Sequence, residues 1–218
     1  MLLIDIHTHR HAIPDSGIVT IPNVIVSKDL ISRTPCSAGI HPWYIDEDFE
    51  RQFEALKLYQ AKSGVIAIGE CGLDKMRSMP WERQIIAFER QILLANDLKK
   101  PLIIHCVKAY SEVFSSLTVR QNKVPVILHG YSKSWALAET LLKHGYYISL
   151  GPHILKGGMK DVITNIPLDR LFFETDDKSV KISEIYAYFC RARNLSMQDL
   201  EQQVLLNFKK VFNYIIEE

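Results

Sequence analysis

Short apolar runs recur along the chain, most ending in a polar residue, and stretches with helical spacing separate most of them. The first is Leu2-Leu3-Ile4, which continues Asp5-Ile6-His7-Thr8-His9. Later runs are Pro35–His41, Val65–Glu70, Pro101–His105, Val124–His129, Tyr146–Leu150 and Leu171–Asp176. Runs of this length and character are what buried strands look like. Residues 17–26 are also rich in β-formers, but Pro22 and Asn23 interrupt them, so a strand or a small hairpin fits equally.

The intervening stretches have a different period. Phe49, Phe53, Leu56 and Tyr59 fall on one helical face after Asp46, a candidate cap. Pro80 suits a first helical turn, and Trp81, Ile85, Phe88 and Ile92 follow at helical spacing. Further helices are expected over 109–118, over Ser134–His144 closed by Gly145, and over 158–165. Two more occupy the tail from Ile182, with Ser196 capping the last. Strand alternating with helix means an α/β protein with a mainly parallel sheet and helices outside it. Eight strand candidates predict a TIM-type (β/α)8 barrel rather than an open sheet.

At 218 residues the barrel is smaller than the usual ~250. Residues 10–17 are too few for a crossover helix, which with its loops needs ~10–12 residues. The shortening is therefore expected near the first helix and the second strand. No linker or low-complexity run divides the chain, which predicts one domain over residues 1–218.

Composition changes this picture little. The net charge of +1 leaves nucleic-acid affinity to local patches. Cys36, Cys71, Cys106 and Cys190 form no C-x-x-C pair and read as reduced core thiols. With no signal-peptide pattern and no apolar run near the ~20 residues of a membrane span, a cytoplasmic location is expected.

The strand ends carry the candidate chemistry. Side chains alternate along a strand, so His7 and His9 project from the same face. Two imidazoles there form half of a divalent-metal site, or else an ordinary pair of buried histidines bonded to backbone. Glu70, His105, His129 and Asp176 also sit at the C-terminal ends of apolar runs, which in a parallel barrel share one mouth. Four imidazoles and two carboxylates could hold two divalent cations, one carboxylate bridging them. The imidazoles suit Zn, and the carboxylates with phosphate suit Mg or Mn.

These residues stand in motifs that resemble those of TatD-type metal-dependent hydrolases. Asp-Ile-His-Thr-His, Gly-Ile-His-Pro, Ile-Gly-Glu-Cys-Gly-Leu-Asp, Ile-Ile-His, Leu-His-Gly-Tyr-Ser and Glu-Thr-Asp occur in the family's order over nearly the whole chain. The resemblance implies a TIM barrel related to the amidohydrolases, with deoxyribonucleases among its members. It implies that His7, His9 and Asp176 bind one metal, that His105 and His129 bind the other, and that Glu70 bridges them. His41 resembles the family's substrate-side histidine.

The chain also departs from the family. Residues 10–34 are shorter than usual. Cys106-Val107-Lys108 lacks the Arg that often follows the fifth-strand histidine, leaving Lys108 as the substitute phosphate contact. Asp177-Lys178 replaces the usual Ala-Pro.

The expected activity is phosphodiester hydrolysis by a metal-activated water, with DNA as substrate, single-stranded or at its ends. Asp176 would be general base, Glu70 a catalytic ligand, and His41 with Lys108 would orient the substrate. Arg10, Lys75, Arg77, Lys108, Lys133 and Lys156 follow strand ends and could attract phosphates, while Trp43, Tyr44 and Tyr131 could stack on bases or pack beneath loops. The competing readings are a metal hydrolase of a small ester, amide or phosphoester, and a non-catalytic barrel that binds a partner.

Overall fold

A computed structural model describes residues 2–10, 17–29 and 35–216. Eight strands form one sheet in chain order: β1 (Leu3–Thr8), β2 (Ile18–Ile25), β3 (Cys36–Gly39), β4 (Val65–Asp74), β5 (Leu102–Val107), β6 (Val126–Leu128), β7 (Tyr147–Leu150) and β8 (Leu171–Phe173). Paired neighbours run parallel. The helices are α1 (Phe49–Gln60), α2 (Trp81–Leu98), α3 (Tyr110–Val119), α4 (Trp135–Lys143), α5 (Lys160–Asn165), α6 (Ile182–Arg193) and α7 (Met197–Phe212). This order is that of a TIM-type (β/α)8 fold, as the periodicity predicts.

Residues 17–26 resolve into one strand and no hairpin. Pro22, which has no N–H to give a ladder, lies at an irregular point of the β1–β2 register, opposite Thr8. The shortening expected near the first helix falls in large part on residues 11–16 and 30–34, outside the described residues. Asp46 does not cap α1: Asp48 does, its side chain accepting from the Arg51 N–H at 3.1 Å, while the Asp46 N–H donates to Gln52. Ser196 caps α7 as expected, accepting from the Asp199 N–H at 3.1 Å. The helix expected over 158–165 starts two residues later, after a 3-10 turn over Pro152–Lys156. All four cysteines are free thiols. Among the described residues, no helix is long and apolar enough to cross a membrane.

Contacts divide the chain into two compact units, Met1–Pro22 with Ile127–Glu218, and Asn23–Val126. In the second unit Val26, Ile40, Ile45, Phe53, Leu56 and Ala87 form a core cluster where α1 and α2 meet the strand ends. Glutamines on the inner faces of these helices tie down the strands. Gln91 of α2 accepts from the Ile40 N–H at 2.8 Å and donates to the Ile40 carbonyl at 3.0 Å. Gln84 does the same for Asp74, at 2.8 and 3.1 Å. Each satisfies two backbone groups that burial would otherwise leave costly.

In the first unit Tyr186 of α6 plays the matching part for β1. Its hydroxyl accepts from the Ile4 N–H at 3.2 Å and donates to the Ile4 carbonyl at 3.0 Å. Phe173 and Phe189 pack against it, with the Phe173 and Tyr186 rings 4.4 Å apart. Helix α6 is thereby fastened to the strand that carries His7.

Candidate metal centre

In the first unit β1 presents Asp5 and His7 from one face, as the two-residue strand repeat requires, and His9 follows just beyond its end. His7 is fully buried, and its ring lies 4.9 Å from that of His9 and 4.4 Å from that of His129. The chain beyond β8 runs back alongside β1. The Asp176 N–H donates to the His7 carbonyl at 3.0 Å, and the His9 N–H donates to the Asp176 carbonyl at 3.1 Å. Asp176 adopts a left-handed backbone, φ 54°, a conformation that aspartate tolerates better than most residues. Its Oδ1 comes 3.9 Å from His7 Nε2 and 3.7 Å from His9 Nε2. Three predicted ligands thus meet around one carboxylate oxygen.

Sequence reasoning missed two acids here. Asp5 accepts from the Thr175 N–H at 3.0 Å and from the Thr175 hydroxyl at 2.7 Å, which holds the segment bearing Asp176 against β1. Burial pushes the Asp5 carboxyl up to about 7, against the Thr175 hydrogen bonds that favour its ionised form. The signal was present in the strand parity of Asp5, His7 and His9. The other acid is Glu174, fully buried, whose Oε1 accepts from the Gly130 N–H at 2.6 Å and lies 3.3 Å from His129 Nδ1. Its Oε2 is buried with no hydrogen-bond partner among the described residues.

Beside Glu174 and Asp176 opens a cavity of about 560 Å³ with Pro152, Leu155 and Val180 in its walls and Lys156 and Lys178 on its lining. Tyr131 has no part in base stacking. It is 1 % exposed and its hydroxyl donates to the Ser134 carbonyl at 2.6 Å, so it packs beneath its loop.

In the second unit Glu70, His41 and His105 come together. Glu70 Oε1 lies 2.6 Å from His105 Nδ1 and 3.1 Å from His41 Nε2. The His41 Nδ1 accepts from the Trp43 N–H at 3.1 Å, so that nitrogen carries no proton and Nε2 donates to Glu70. The other nitrogen of His105 faces Asp74, with Nε2 at 3.2 Å from Oδ2. Burial alone would raise the Asp74 carboxyl, but hydrogen bonds from the Met76 N–H, Trp43 and His105 hold it below the usual carboxylate range. Asn23 braces the strand end from behind, its Oδ1 accepting from the Glu70 N–H and from Ser37.

Glycines let β4 and β5 approach closely at this point. A Cβ on Gly72 would stand 2.1 Å from the His105 carbonyl oxygen, and Gly72 has φ 135°. Lys108 follows β5 as an exposed residue with φ 54°.

The donor chemistry fits divalent cations. The groups His7–His9–Asp176 and His129–Glu174–Asp176 in the first unit, and His41–Glu70–His105 in the second, each offer ligand atoms within 4.8 Å of one another. Mixed imidazole and carboxylate sets of this kind bind Zn, Mn and related ions. The unpartnered Oε2 of Glu174 points the same way, because a buried carboxylate oxygen without a donor is costly unless a cation or water meets it.

Comparisons with known proteins place the chain in a family. The profile of the family described as TatD related DNase matches residues 20–213. An uncharacterized metal-dependent hydrolase of Buchnera aphidicola subsp. Baizongia pistaciae is 30% identical over 195 residues, 81% of this chain and 73% of that protein. The 3'-5' ssDNA/RNA exonuclease TatD of Erwinia amylovora is 33% identical over 150 residues, 64% of this chain and 56% of that protein. Among solved structures, that of YjjV, a TatD homolog from Escherichia coli K12, shares the fold with a TM-score of 0.85 at 24% identity, over 98% of each chain. The chain therefore belongs to the TatD-related DNase family of metal-dependent hydrolases.

Proposed function

We propose that the protein is a metal-dependent nuclease that hydrolyses phosphodiester bonds of DNA, acting on single strands or at ends. The observation that supports it most is the meeting of His7, His9 and Asp176 around one carboxylate oxygen. These three residues would hold a divalent cation, Mg, Mn or Zn. His105, His129 and Glu70 are the ligands that the family resemblance assigns to a second. The name of the Erwinia amylovora relative, an exonuclease of single-stranded DNA and RNA, supports the choice of substrate.

Divalent cations, when bound, supply Lewis acidity toward a phosphoryl oxygen and make water more acidic. The chain's own residues do the rest. Asp176 takes the proton of the attacking water as the oxygen–phosphorus bond forms, and the leaving deoxyribose oxygen takes a proton from Asp176 or from solvent water as its bond to phosphorus breaks. His41, held by Glu70 at Nε2 and by the Trp43 N–H at Nδ1, stands on the substrate side of the site as the family resemblance assigns. Lys108 attracts phosphate as an exposed point charge.

A second reading, hydrolysis of a small phosphoester, ester or amide, is favoured by the cavity of about 560 Å³ beside Asp176, a size typical of small-ligand pockets. One experiment separates the two. The purified full chain is incubated with a single-stranded oligonucleotide and, separately, with small phosphoesters, with EDTA and then with Mn²⁺. The nuclease reading expects nucleotide release that EDTA abolishes and Mn²⁺ restores. Turnover of the small ester alone would overturn it. Asp176→Asn is expected to abolish release while metal content is largely retained, and normal turnover in that variant would refute the general-base role.

A further inference from the structure

The second unit carries a cavity of about 380 Å³ lined by Trp43, Tyr44, Arg77, Ser78, Met79 and Pro80. Its two aromatic rings each meet a cation, Arg77 on the lining and Lys28 outside it. The Arg77 guanidinium carbon lies 3.6 Å from the Trp43 ring centre, and the Lys28 ammonium lies 4.2 Å from the Tyr44 ring centre. The two rings stand 6.3 Å apart at 60°, so they open as a wedge instead of closing on each other. No carboxylate lines the cavity among the described residues.

The wedge is held from below. The Trp43 indole N–H donates to Asp74 Oδ2 at 2.6 Å, and its backbone N–H donates to His41. Its ring meets His41 edge-on at 4.9 Å and lies 5.6 Å from that of His105. An occupant of the wedge therefore lies next to residues that the nuclease reading assigns to the substrate and the metal.

The occupant must offer a flat, apolar face to the rings and negative charge to the cations. An acidic peptide satisfies only the cations, and an aromatic neutral molecule only the rings. An unpaired nucleobase flanked by phosphates satisfies both, since bases stack on aromatic rings and on guanidinium planes while Lys and Arg neutralise phosphate. In a duplex the faces of internal bases are already stacked, and a pocket in the small-ligand range of about 300–1,000 Å³ does not admit a double helix.

We propose that Tyr44 and the Arg77–Trp43 pair form a stacking subsite for one unpaired nucleobase of a single-stranded nucleic acid, with Lys28 and Arg77 drawing the flanking phosphates. The proposal rests on the nuclease reading and adds to it the place where an unpaired base is held.

The test is binding without turnover. Full-length protein in EDTA is titrated into fluorescein-labelled oligothymidylate of ~10 nucleotides, within the span of common single-strand sites, and into the matching duplex. Tyr44 and Arg77 are both exposed, so Tyr44→Leu and Arg77→Ala leave the core intact. Each is expected to weaken single-strand binding roughly 5- to 100-fold, the cost of one lost stacking partner. Arg77→Ala is also expected to lower the salt slope by about 1. Parent-like affinity in both variants, or equal binding of duplex and single strand by the parent, would overturn the subsite. If the parent shortens the oligonucleotide in Mn²⁺ while both variants bind as it does, the subsite fails and the nuclease reading stands. If the parent neither binds nor shortens it yet hydrolyses a small phosphoester, both fail.

Discussion

Asp74 and Glu70 hold His105 from its two ring nitrogens, Asp74 Oδ2 3.2 Å from Nε2 and Glu70 Oε1 2.6 Å from Nδ1, which fixes the orientation of the ring. A cation bound between Nδ1 and Glu70 would take the place of the proton there, and Nε2–H donated to Asp74 would then leave the Nδ1 lone pair for the metal. Carboxylates that orient ligating histidines in this way typically contribute 10- to 100-fold to metal affinity, as an order of magnitude. Asp74→Asn is therefore expected to weaken Mn²⁺ binding by roughly that factor in calorimetric titration of the metal-free protein. Unchanged affinity would show that Asp74 serves only to anchor Trp43.

The approach of β4 to β5 depends on Gly72. Its positive φ and the 2.1 Å clash awaiting any Cβ with the His105 carbonyl leave no room for alanine. Gly72→Ala is expected to cost roughly 2–5 kcal/mol, from backbone strain and forced separation of the strands. Urea unfolding measures it, and a loss below about 1 kcal/mol would mean that the strands separate there without penalty.

Tyr186→Phe removes only a hydroxyl, but that hydroxyl serves both the N–H and the carbonyl of Ile4. Leaving buried polar groups unpaired typically costs about 1–3 kcal/mol. The variant is expected to lose that much stability and to keep its fold, with β1 more open to amide exchange. Exchange at Ile4 no faster than in the parent would contradict the clamp.

Burial pushes the Cys36 thiol from an ordinary 9.0 up to about 11. The folded chain keeps a proton there that the unfolded chain loses. The stability this group contributes is thus full below pH 9.0 and falls as pH rises to about 11. Cys36→Ala should flatten this part of the alkaline decline. Melting temperatures of parent and variant, compared between pH 8 and pH 11, check it. Parallel declines would contradict the assignment.

The fold was legible because most strands are short apolar runs and α1 and α2 carry regular inner faces, whereas Pro22 and Asn23 obscured β2. The ligands were legible because strand ends carry them. Asp5 shares the face of His7, but its role lies in hydrogen bonds to Thr175, 170 residues away, which a strand pattern does not reveal. Asp74 lies four residues beyond the expected end of its strand, since β4 continues through the glycine-permitted contact with β5. The bracing by Gln84 and Gln91 could not be read, because a glutamine on a helix looks like any solvated surface residue until a strand end is found beneath it. Tyr131 fails as a stacking residue for the same reason: sequence places it in a loop, and only packing shows the loop covering it.

The central claim is that these imidazoles and carboxylates are metal ligands. Titration of EDTA-stripped protein with Mn²⁺, followed by calorimetry, tests it most directly, with the double substitution His7→Asn, His9→Asn as comparison. The account predicts two ions per parent chain and one in the variant, with the fold of both intact by circular dichroism. A parent that takes up no ion, or a variant that binds as the parent does, would contradict it.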